Sequence, residues 1–340
     1  MRNWTGAAAA VLALAFAADR AEAGSTLDSI KARGQLACGV SANIAGFASS
    51  DRQGKWKGLE VDVCRAMAAA ILGSAEKAKY VPVDAAKRFS ALQAGEFDVL
   101  VYNATHTLLR EATLGVDFTG VYYYDGQGFM VSKKHGGKTF KQLERATICV
   151  QPGTTTELNL TDYFRGNKIR FTPLVIEKIE DQRAAFFAGR CEAMTADVSS
   201  LYATRAAYAP KPDDYFILPQ TISKEPLGPV VRQGDSQFST IVRWALYAMI
   251  EAEEQGITST NVDQMLKSDD PTIKRILGVA PGMGKALGLD ERWAYNIVKQ
   301  VGNYSEAYDR NVGSQSPLKI PRGVNALWIR GGMLYAPPIR

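Results

Sequence analysis

Histidine is scarce in this 340-residue chain, which contains only His106 and His135. None of its four cysteines is spaced like a metal-binding pair, so a zinc site or a histidine-based catalytic centre has little support, and no cofactor is expected. Lysine and arginine are dispersed, and the formal net charge is only +5. The chain therefore has no basic run typical of a nucleic-acid-binding surface. With 46% hydrophobic and 22% charged residues, it is globular and long enough for two domains.

The N-terminus has the layout of an export signal. Arg2 precedes an apolar stretch at residues 7–18, and a small-x-small cleavage signal follows at residues 21–23. The apolar part is too short for a permanent membrane anchor, although a core helix is an alternative interpretation. No cysteine follows it closely, which leaves a lipid anchor without an attachment point. We predict a signal peptide at residues 1–23, a mature chain from Gly24, and an exported protein.

Export would place the four cysteines in an oxidising compartment, where three pairings are possible. Cys38 and Cys64 lie in one early segment, and Cys149 and Cys191 lie in a later one. If the two segments are separate domains, the pairs are Cys38–Cys64 and Cys149–Cys191. Two pairs of buried free thiols are the alternative.

The first part of the chain alternates between strand and helix patterns. Strands are predicted at residues 35–40, 80–83 and 97–101 from their apolar runs. A helix capped by Asp62 and ended by Gly73, and a second helix over residues 88–93, lie between these strands. This order predicts a βαβαβ unit with a parallel sheet.

The same theme returns after a polar, glycine-containing break at residues 133–138. A strand at residues 147–150 leads into a helix, and a further strand at residues 193–197 ends in Asp197. A second break follows at residues 224–229, and the chain beyond it is mostly helical. Two similar α/β lobes separated by such breaks predict a cleft between them.

The segment 102–110 follows the strand at residues 97–101 with small polar side chains and then Arg110. Thr105 or Thr107 could cap a short helix there. One interpretation is an ordinary joint between strand and helix with a solvated arginine. The other is a carboxylate site, because arginine offers paired donors at a strand end.

Two features of the second lobe complement this arginine. Residues 153–157 open a helix after a strand, which suits either an anion at the helix start or a plain capping box with Glu157. Asp197 could accept from an ammonium group or simply cap a helix. Arg110 and the helix start at Thr154 and Thr155 would together hold the carboxylate of an α-amino acid, and Asp197 its ammonium. No activated nucleophile or paired carboxylates for acid/base chemistry are evident.

Longer motifs covering nearly the whole mature chain carry a family resemblance. They are Gly58-Leu-Glu-Val-Asp-Val-Cys64, Arg88-Phe-Ser-Ala-Leu-Gln-Ala-Gly-Glu-Phe-Asp-Val-Leu100, Gly115-Val-Asp-Phe118, Tyr123-Tyr-Asp-Gly-Gln-Gly-Phe129, Gln151-Pro-Gly-Thr-Thr-Thr-Glu-Leu-Asn-Leu160, Val301-Gly-Asn-Tyr-Ser-Glu306, Arg322-Gly-Val-Asn-Ala-Leu-Trp328 and Tyr335-Ala-Pro-Pro-Ile-Arg340. The chain resembles the extracytoplasmic solute-binding proteins of bacterial amino-acid ABC importers (family 3), and especially their general L-amino-acid-binding subgroup. The tail motifs are specific to that subgroup.

The resemblance implies a type II periplasmic-binding-protein fold: two α/β lobes with a central ligand cleft and a helical C-terminal extension. Lobe one would comprise residues 24–132 and 228–340, and lobe two residues 133–227. By family position, Arg110 would bind the ligand carboxylate and Asp197 would bind its ammonium group. The other ligand-binding positions it implies are Tyr102, Asn103, Thr105, Thr154, Thr155, Ile44, Phe47, Arg88 and Gln151.

The implied partners are a free L-amino acid and inner-membrane ABC permease subunits, with the protein itself a monomer. One departure concerns specificity: Tyr102-Asn-Ala-Thr-His-Thr107 stands where the subgroup usually has Arg-Asn-Thr-Thr-Trp-Thr. Loss of that arginine should weaken the binding of aspartate and glutamate relative to neutral ligands. The alternatives on the same fold are an enzyme similar to cyclohexadienyl dehydratase and a ligand-sensing domain.

Overall fold

The computed structural model describes residues 26–135 and 139–340 of the chain. The predicted signal peptide at residues 1–23 and the predicted mature start at Gly24 lie outside the described residues. Within the two described ranges, no helix combines the length and apolar character needed to cross a membrane.

The chain alternates between short strands and helices until its helical tail. The strands are β1 Leu36–Val40, β2 Asn43–Ile44, β3 Ala48–Ser50, β4 Trp56–Lys57, β5 Ala78–Pro82, β6 Val99–Leu100, β7 Val116–Phe118, β8 Tyr123–Asp125, β9 Gln127–Ser132, β10 Thr147–Val150, β11 Thr172–Val175, β12 Ala193–Asp197, β13 Tyr215–Ile217, β14 Glu225–Leu227 and β15 Val230–Arg232. The helices are α1 Thr26–Arg33, α2 Leu59–Leu72, α3 Arg88–Gln93, α4 Leu108–Thr113, α5 Thr155–Gly166, α6 Ile179–Phe187, α7 Val198–Tyr208, α8 Ser236–Glu254, α9 Val262–Met265, α10 Pro271–Ile276, α11 Met283–Leu287, α12 Trp293–Gln300 and α13 Tyr304–Asn311.

The sheet of lobe one has the strand order β5-β1-β6-β15-β7. β1 lies parallel to both β5 and β6, so Cys38 pairs with Tyr80 on one side and with Val99 on the other. Helices α2 and α3 connect these parallel strands, which confirms the predicted βαβαβ unit. β15 returns from far along the chain and runs antiparallel between β6 and β7.

Helix α2 begins four residues earlier than predicted, because Gly58 and not Asp62 precedes its first turn. Gly58 has a φ of 137°, and a Cβ atom there would lie 1.9 Å from the carbonyl oxygen of Phe47. Glycine alone tolerates that approach and that backbone. Asp62 is instead buried in the first turn, where it accepts a hydrogen bond from Arg310 Nε at 2.9 Å. Gly73 ends the helix in the left-handed conformation, as predicted.

The sheet of lobe two has the order β11-β10-β12-β9-β13. β10 is parallel to β11 and β12, whereas β9 is antiparallel to its neighbours β12 and β13. The sequence analysis drew the first part of lobe one to residue 132 and so placed β9 there. The ladder from Ala193 opposite Val131 to Asp197 opposite Gln127 puts this strand in the second sheet. An apolar strand does not specify its partner by itself, and this pairing forms over more than 60 residues of intervening chain.

Two short antiparallel strands, β8 and β14, connect the lobes. β8 follows β7 and leads into β9, and β14 follows β13 and leads into β15, so the chain crosses between the sheets twice. A further bridge pairs Thr105 with Leu227. The second predicted break, at residues 224–229, therefore contains the hinge strand β14. The other hinge strand, β8, precedes the first predicted break at residues 133–138, which follows β9 and lies partly outside the described residues.

The C-terminal tail packs against the part of the chain that forms the first sheet. Trp293 and Tyr304 are buried, and the Tyr304 hydroxyl donates to the carbonyl oxygen of Tyr122 at 2.6 Å. Arg322 pairs with Glu253 of α8 at 3.0 Å. These contacts hold the tail against the helices behind the first sheet, where it adds to the same core.

The four cysteines, all among the described residues, form one disulfide. Cys149 and Cys191 are bonded, with their Cα atoms 5.7 Å apart. Cys38 and Cys64 are buried free cysteines, so the predicted Cys38–Cys64 bond is not present. Their side chains nevertheless meet between β1 and α2, and burial together with the hydrogen bond to Cys38 raises the pKa of the Cys64 thiol well above its usual range. Adjacent thiols fill this part of the core without a covalent bond.

Candidate functional site

A cavity of about 50 Å³ lies between the two lobes, at the ends of strands β6 and β12 and the start of α5. Eight of the eleven predicted ligand-binding residues line it: Ile44, Arg88, Tyr102, Asn103, Gln151, Thr154, Thr155 and Asp197. The wall also contains residues that the sequence analysis did not single out: Ala85, Thr156, Ile179, Ala196 and Ser200. Proteins with open α/β sheets usually bind their ligands at the ends of the strands.

Contacts across the mouth of the cleft hold the lobes together. Asn43 Nδ2 lies 2.5 Å from Glu180 Oε1 of α6, and the Tyr208 hydroxyl donates to the Asn43 carbonyl oxygen at 3.1 Å. These bonds join the β2 loop of lobe one to two helices of lobe two. The described structure is therefore a closed arrangement of the lobes.

Asp197 ends β12 and precedes α7, but its side chain does not cap that helix. The Ser199 N–H at the helix start donates instead to Asp125 Oδ2 at 3.3 Å. This leaves Asp197 Oδ2 facing the other lobe, 3.3 Å from Asn103 Nδ2. Of the two interpretations of Asp197, the plain helix cap does not describe its side chain, which lies in the wall of the cavity.

The carboxyl of Asp197 is in a strongly acidic environment. Burial, followed by the charges of Asp125 and Glu225, raises the pKa of Asp197 well above its usual range. Burial likewise raises the pKa of Asp125 to about 6. Carboxyls in such surroundings favour a cationic partner, because a neighbouring positive charge compensates both burial and mutual repulsion.

Arg110 lies in α4, whose first turn is capped by the Thr107 side chain at 3.3 Å from the Arg110 N–H. Thr107 and not Thr105 is therefore the helix cap. Arg110 is buried, and its Nη1 donates to the Thr105 carbonyl oxygen at 2.8 Å. Burial, and then the neighbouring charge of Arg88, lowers the pKa of Arg110 to about 9. A guanidinium under these conditions gains from an anionic partner.

Arg88 forms the cationic part of the wall itself. Its Nη1 donates to the Ala85 carbonyl oxygen at 2.7 Å, and its buried Nε has no hydrogen-bond partner among the described residues. The guanidinium lies 5.2 Å from the ring centroid of Tyr102 and 5.0 Å from that of Phe89. Arg110 approaches the same Phe89 ring, also at 5.0 Å, and so lies beside Arg88 although it does not line the cavity.

Because Tyr102 stands where the resembling subgroup usually has arginine, the cavity wall has one cation, Arg88. Tyr102 is almost completely buried, and burial raises its pKa to about 12, so its hydroxyl is neutral at physiological pH. The remaining charge comes from Arg88, whose pKa is itself lowered by burial. An arginine at position 102 would have added a second positive charge to this part of the cavity.

The start of α5 has the features of both interpretations given to residues 153–157. The Thr154 hydroxyl caps the helix by accepting from the Glu157 N–H at 3.2 Å, and Glu157 Oε2 accepts from the Gly153 N–H at 2.9 Å. Both Thr154 and Thr155 nevertheless line the cavity. The first helical N–H groups therefore point towards the cleft with the positive end of the helix dipole.

Of two residues predicted to border the pocket, Gln151 lines the cavity and Phe47 does not. Phe47 was predicted beside the pocket, but it is fully buried in lobe one and packs edge-to-face on Tyr123 at 5.4 Å between ring centroids. The turn that bonds Phe47 N–H to the Ile44 carbonyl oxygen brings Ile44 to the wall instead. Gln151 lines the cavity and donates from Nε2 to the Glu177 carbonyl oxygen at 2.9 Å.

Two buried glutamates were missed by the sequence analysis. Glu60, in the first turn of α2, accepts from the Asn103 N–H at 2.7 Å and from the Tyr122 hydroxyl at 2.8 Å. Glu225, in β14, accepts from the Thr105 hydroxyl at 2.5 Å and from the Thr155 hydroxyl at 2.8 Å. A single glutamate in a helix start or beside a proline has no pattern that signals burial, so neither could be found without tertiary contacts.

Arginines and carboxyls lie together around the cleft: Arg88 and Asp197 line the cavity, and Arg110 and Glu225 are buried beside it. No cluster of three metal-ligating side chains occurs among residues 26–135 and 139–340. The opposed charges suit a small zwitterion held by charge-assisted hydrogen bonds.

Known proteins are similar to this chain over most of its length. Residues 36–259 match the family described as bacterial extracellular solute-binding proteins, family 3. The chain is 52% identical to the general L-amino acid-binding periplasmic protein AapJ of Rhizobium johnstonii, over 98% of this chain and 97% of that protein. It is 50% identical to the putative amino-acid ABC transporter-binding protein YhdW of Escherichia coli O157:H7, with the same coverage.

A solved structure agrees with the fold described above. The periplasmic binding protein from Brucella ovis with glutathione bound is 53% identical to the chain and superposes with a TM-score of 0.91. The match covers 93% of this chain and all of that one. The chain therefore belongs to the bacterial extracellular solute-binding proteins of family 3.

Proposed function

We propose that the protein is the periplasmic substrate-binding component of an ABC importer. It captures L-amino acids between its two lobes and delivers them to inner-membrane permease subunits. Relatives that are about half identical over nearly the full chain have names that describe this kind of transport binding protein and not an enzyme. This supports a binding role over a dehydratase activity.

The observation that carries the proposal is the position of Asp197. Its carboxyl is partly buried in the cavity wall, is not used to cap its own helix, and faces Asn103 of the other lobe. In the proposal, Asp197 and Asn103 hold the ligand's ammonium. Arg110 holds the carboxylate, with the helical N–H groups at the start of α5.

The side chain of the ligand then lies among Ile44, Arg88, Tyr102 and Gln151. One cation and one neutral hydroxyl in this wall suit uncharged, hydrogen-bonding side chains better than a second carboxylate. Glutathione belongs among the ligands to be tested, because it has a free α-amino-acid end and is bound in the similar Brucella ovis structure.

Closure occurs about the β8–β14 pair. We assign to lobe one the first sheet with the C-terminal extension, and to lobe two the chain from β9 to β13. The working form is a monomer without a nucleic-acid partner, exported after cleavage near Ala23. The closed form is the one that docks on the permease.

The test is calorimetric titration of the purified mature protein with the common amino acids and glutathione. Arg110→Ala should weaken the binding of every amino acid by roughly 100-fold to 10,000-fold, because two charge-assisted hydrogen bonds are lost at ~1.5–3 kcal/mol each. Arg88→Ala is the matched control, because it removes a neighbouring buried guanidinium that is assigned to the side-chain pocket. It should change the ranking of ligands and not abolish the binding of all of them.

Asp197→Asn keeps the size of the side chain and removes its charge, so it should weaken the binding of every amino acid as well. Thermal denaturation of each variant shows whether the fold is retained. Equal binding by wild type and Arg110→Ala would refute the assignment of Arg110. The absence of binding to any amino acid or to glutathione by the wild type would refute the function.

A further inference from the structure

Glu225 lies in the hinge strand β14, and its side chain is buried beside the cleft. One of its oxygens, Oε2, accepts hydrogen bonds from both threonines expected to help hold a ligand. The Thr105 hydroxyl of lobe one lies 2.5 Å away and the Thr155 hydroxyl of lobe two 2.8 Å away. The two hydroxyl oxygens are themselves only 3.3 Å apart. A single carboxylate oxygen therefore joins the two lobes.

The second oxygen of Glu225 is occupied as well. Oε1 accepts from Asn159 Nδ2 of α5 at 2.8 Å and from the Ser223 hydroxyl of the hinge. Four donors on one buried carboxylate make a complete hydrogen-bonding shell. Two of them come from α5, one from the loop before α4, and one from the chain just before β14.

This shell limits what the two threonines can offer a ligand. A hydroxyl has one proton, and in the closed form Thr105 and Thr155 both donate theirs to Glu225. Neither can donate to a ligand carboxylate at the same time. On the proposed function, the carboxylate then depends on Arg110 and on N–H groups of α5. Glu225 also favours the charged form of that arginine, since its negative charge acts to raise the pKa of Arg110.

We propose that Glu225 is a positioning residue that ties Thr105 of lobe one to the start of α5 in lobe two. It stabilises the closed form without touching the ligand, and so sets the affinity for all amino acids together. The inference rests on the proposed function only where it concerns ligand affinity. The closing of the lobes can be measured without any ligand.

The experiment compares wild type with Glu225→Gln and Glu225→Ala. A fluorophore pair, with one dye on an exposed site of each lobe, measures the closed fraction of the ligand-free protein. Both variants should have a smaller closed fraction. Calorimetry should show that both variants bind amino acids about tenfold more weakly than the wild type, or weaker still. The factor should be the same for every amino acid, whatever its side chain.

Glu253→Gln is the matched control. Like Glu225, Glu253 is a buried carboxylate, but it lies on α8 away from the cleft, where it pairs with Arg322. It should leave the closed fraction and the affinities as in the wild type. Thr155→Val removes one arm of the shell and provides a milder variant if the Glu225 variants do not fold. It should also reduce the closed fraction, and it should have little further effect in the Glu225→Gln background.

Two results would overturn the inference. An unchanged closed fraction in Glu225→Gln would show that the shell does not contribute to closure. Tighter binding in Glu225→Gln would show that Glu225 competes with the ligand carboxylate for the two hydroxyls. If instead the wild type closes and Glu225→Gln does not, the inference stands even when no amino acid binds, and only the proposed function fails.

Discussion

Glu60 should make the protein less stable as pH rises, and Glu60→Gln should remove this effect. The carboxyl is completely buried in the first turn of α2. Burial raises its pKa from 4.5 to about 7 despite the bonds from Asn103 and Tyr122. Moving the pKa from 4.5 to about 7 corresponds to ~3.5 kcal/mol of folding free energy, at ~1.4 kcal/mol for each step of one in pKa.

The sign follows from proton binding. Between pH 4.5 and 7 the folded protein holds a proton on Glu60 that the unfolded chain has released. The contribution to stability is therefore fully present below pH 4.5 and is lost as pH rises through 7. Glu60→Gln has no such proton. The difference between its free energy of unfolding and that of the wild type should rise by ~3.5 kcal/mol over this window and stay constant above it.

Urea denaturation of both proteins at half-unit steps from pH 4.5 to 8.5 measures this difference. Tyr122→Phe is a matched variant, because it removes a donor that favours the ionised carboxyl. In the wild-type background it should enlarge the total loss of stability and extend that loss to higher pH, because it raises the pKa of folded Glu60 further. In the Glu60→Gln background it should leave the pH dependence unchanged. A difference between Glu60→Gln and wild type that is flat with pH would refute the reasoning.

The other predictions concern the disulfide and the specificity. Replacing Cys149 and Cys191 by alanine should lower the free energy of unfolding by ~4 kcal/mol, from the entropy of a loop closed across a sequence separation of 42. Urea denaturation measures this, and a variant as stable as the wild type would contradict it. Calorimetry on the wild type should show glutamine bound at least as tightly as glutamate, and Tyr102→Arg should raise the glutamate-to-glutamine affinity ratio by about tenfold, since it adds a cation beside Arg88. Glutamate as the tightest ligand of the wild type would contradict the prediction.

Local patterns predicted the elements of this fold well. The apolar run at residues 97–101 and the glycine at position 73 have the structural roles expected of them, and Thr107 and Thr154 cap their helices. These features depend on neighbours within one or two turns of chain. The repeated strand-helix pattern predicted two lobes with a cleft, and family resemblance supplied the fold type and the C-terminal extension.

Features that depend on distant partners were predicted less well. β9 joins the second sheet through β12, which lies more than 60 residues later in the chain. Phe47 was expected beside the pocket and packs on Tyr123 in the core. Asp62 was expected to cap a helix and bonds to Arg310 of the tail instead. In each case a long-range contact decided the outcome, and the local sequence did not contain it.

The sequence by itself determined the class of fold, the position of Arg110 in the segment after β6 and of Asp197 at the end of β12, and the kind of charge at each. Only the tertiary structure decided that Asp125 would cap α7 in place of Asp197, and that Glu60 and Glu225 would be buried beside the cleft. The reason is physical. A carboxyl's protonation and its hydrogen bonds depend on which groups surround it and how far water is excluded, and both are set only when distant segments pack together.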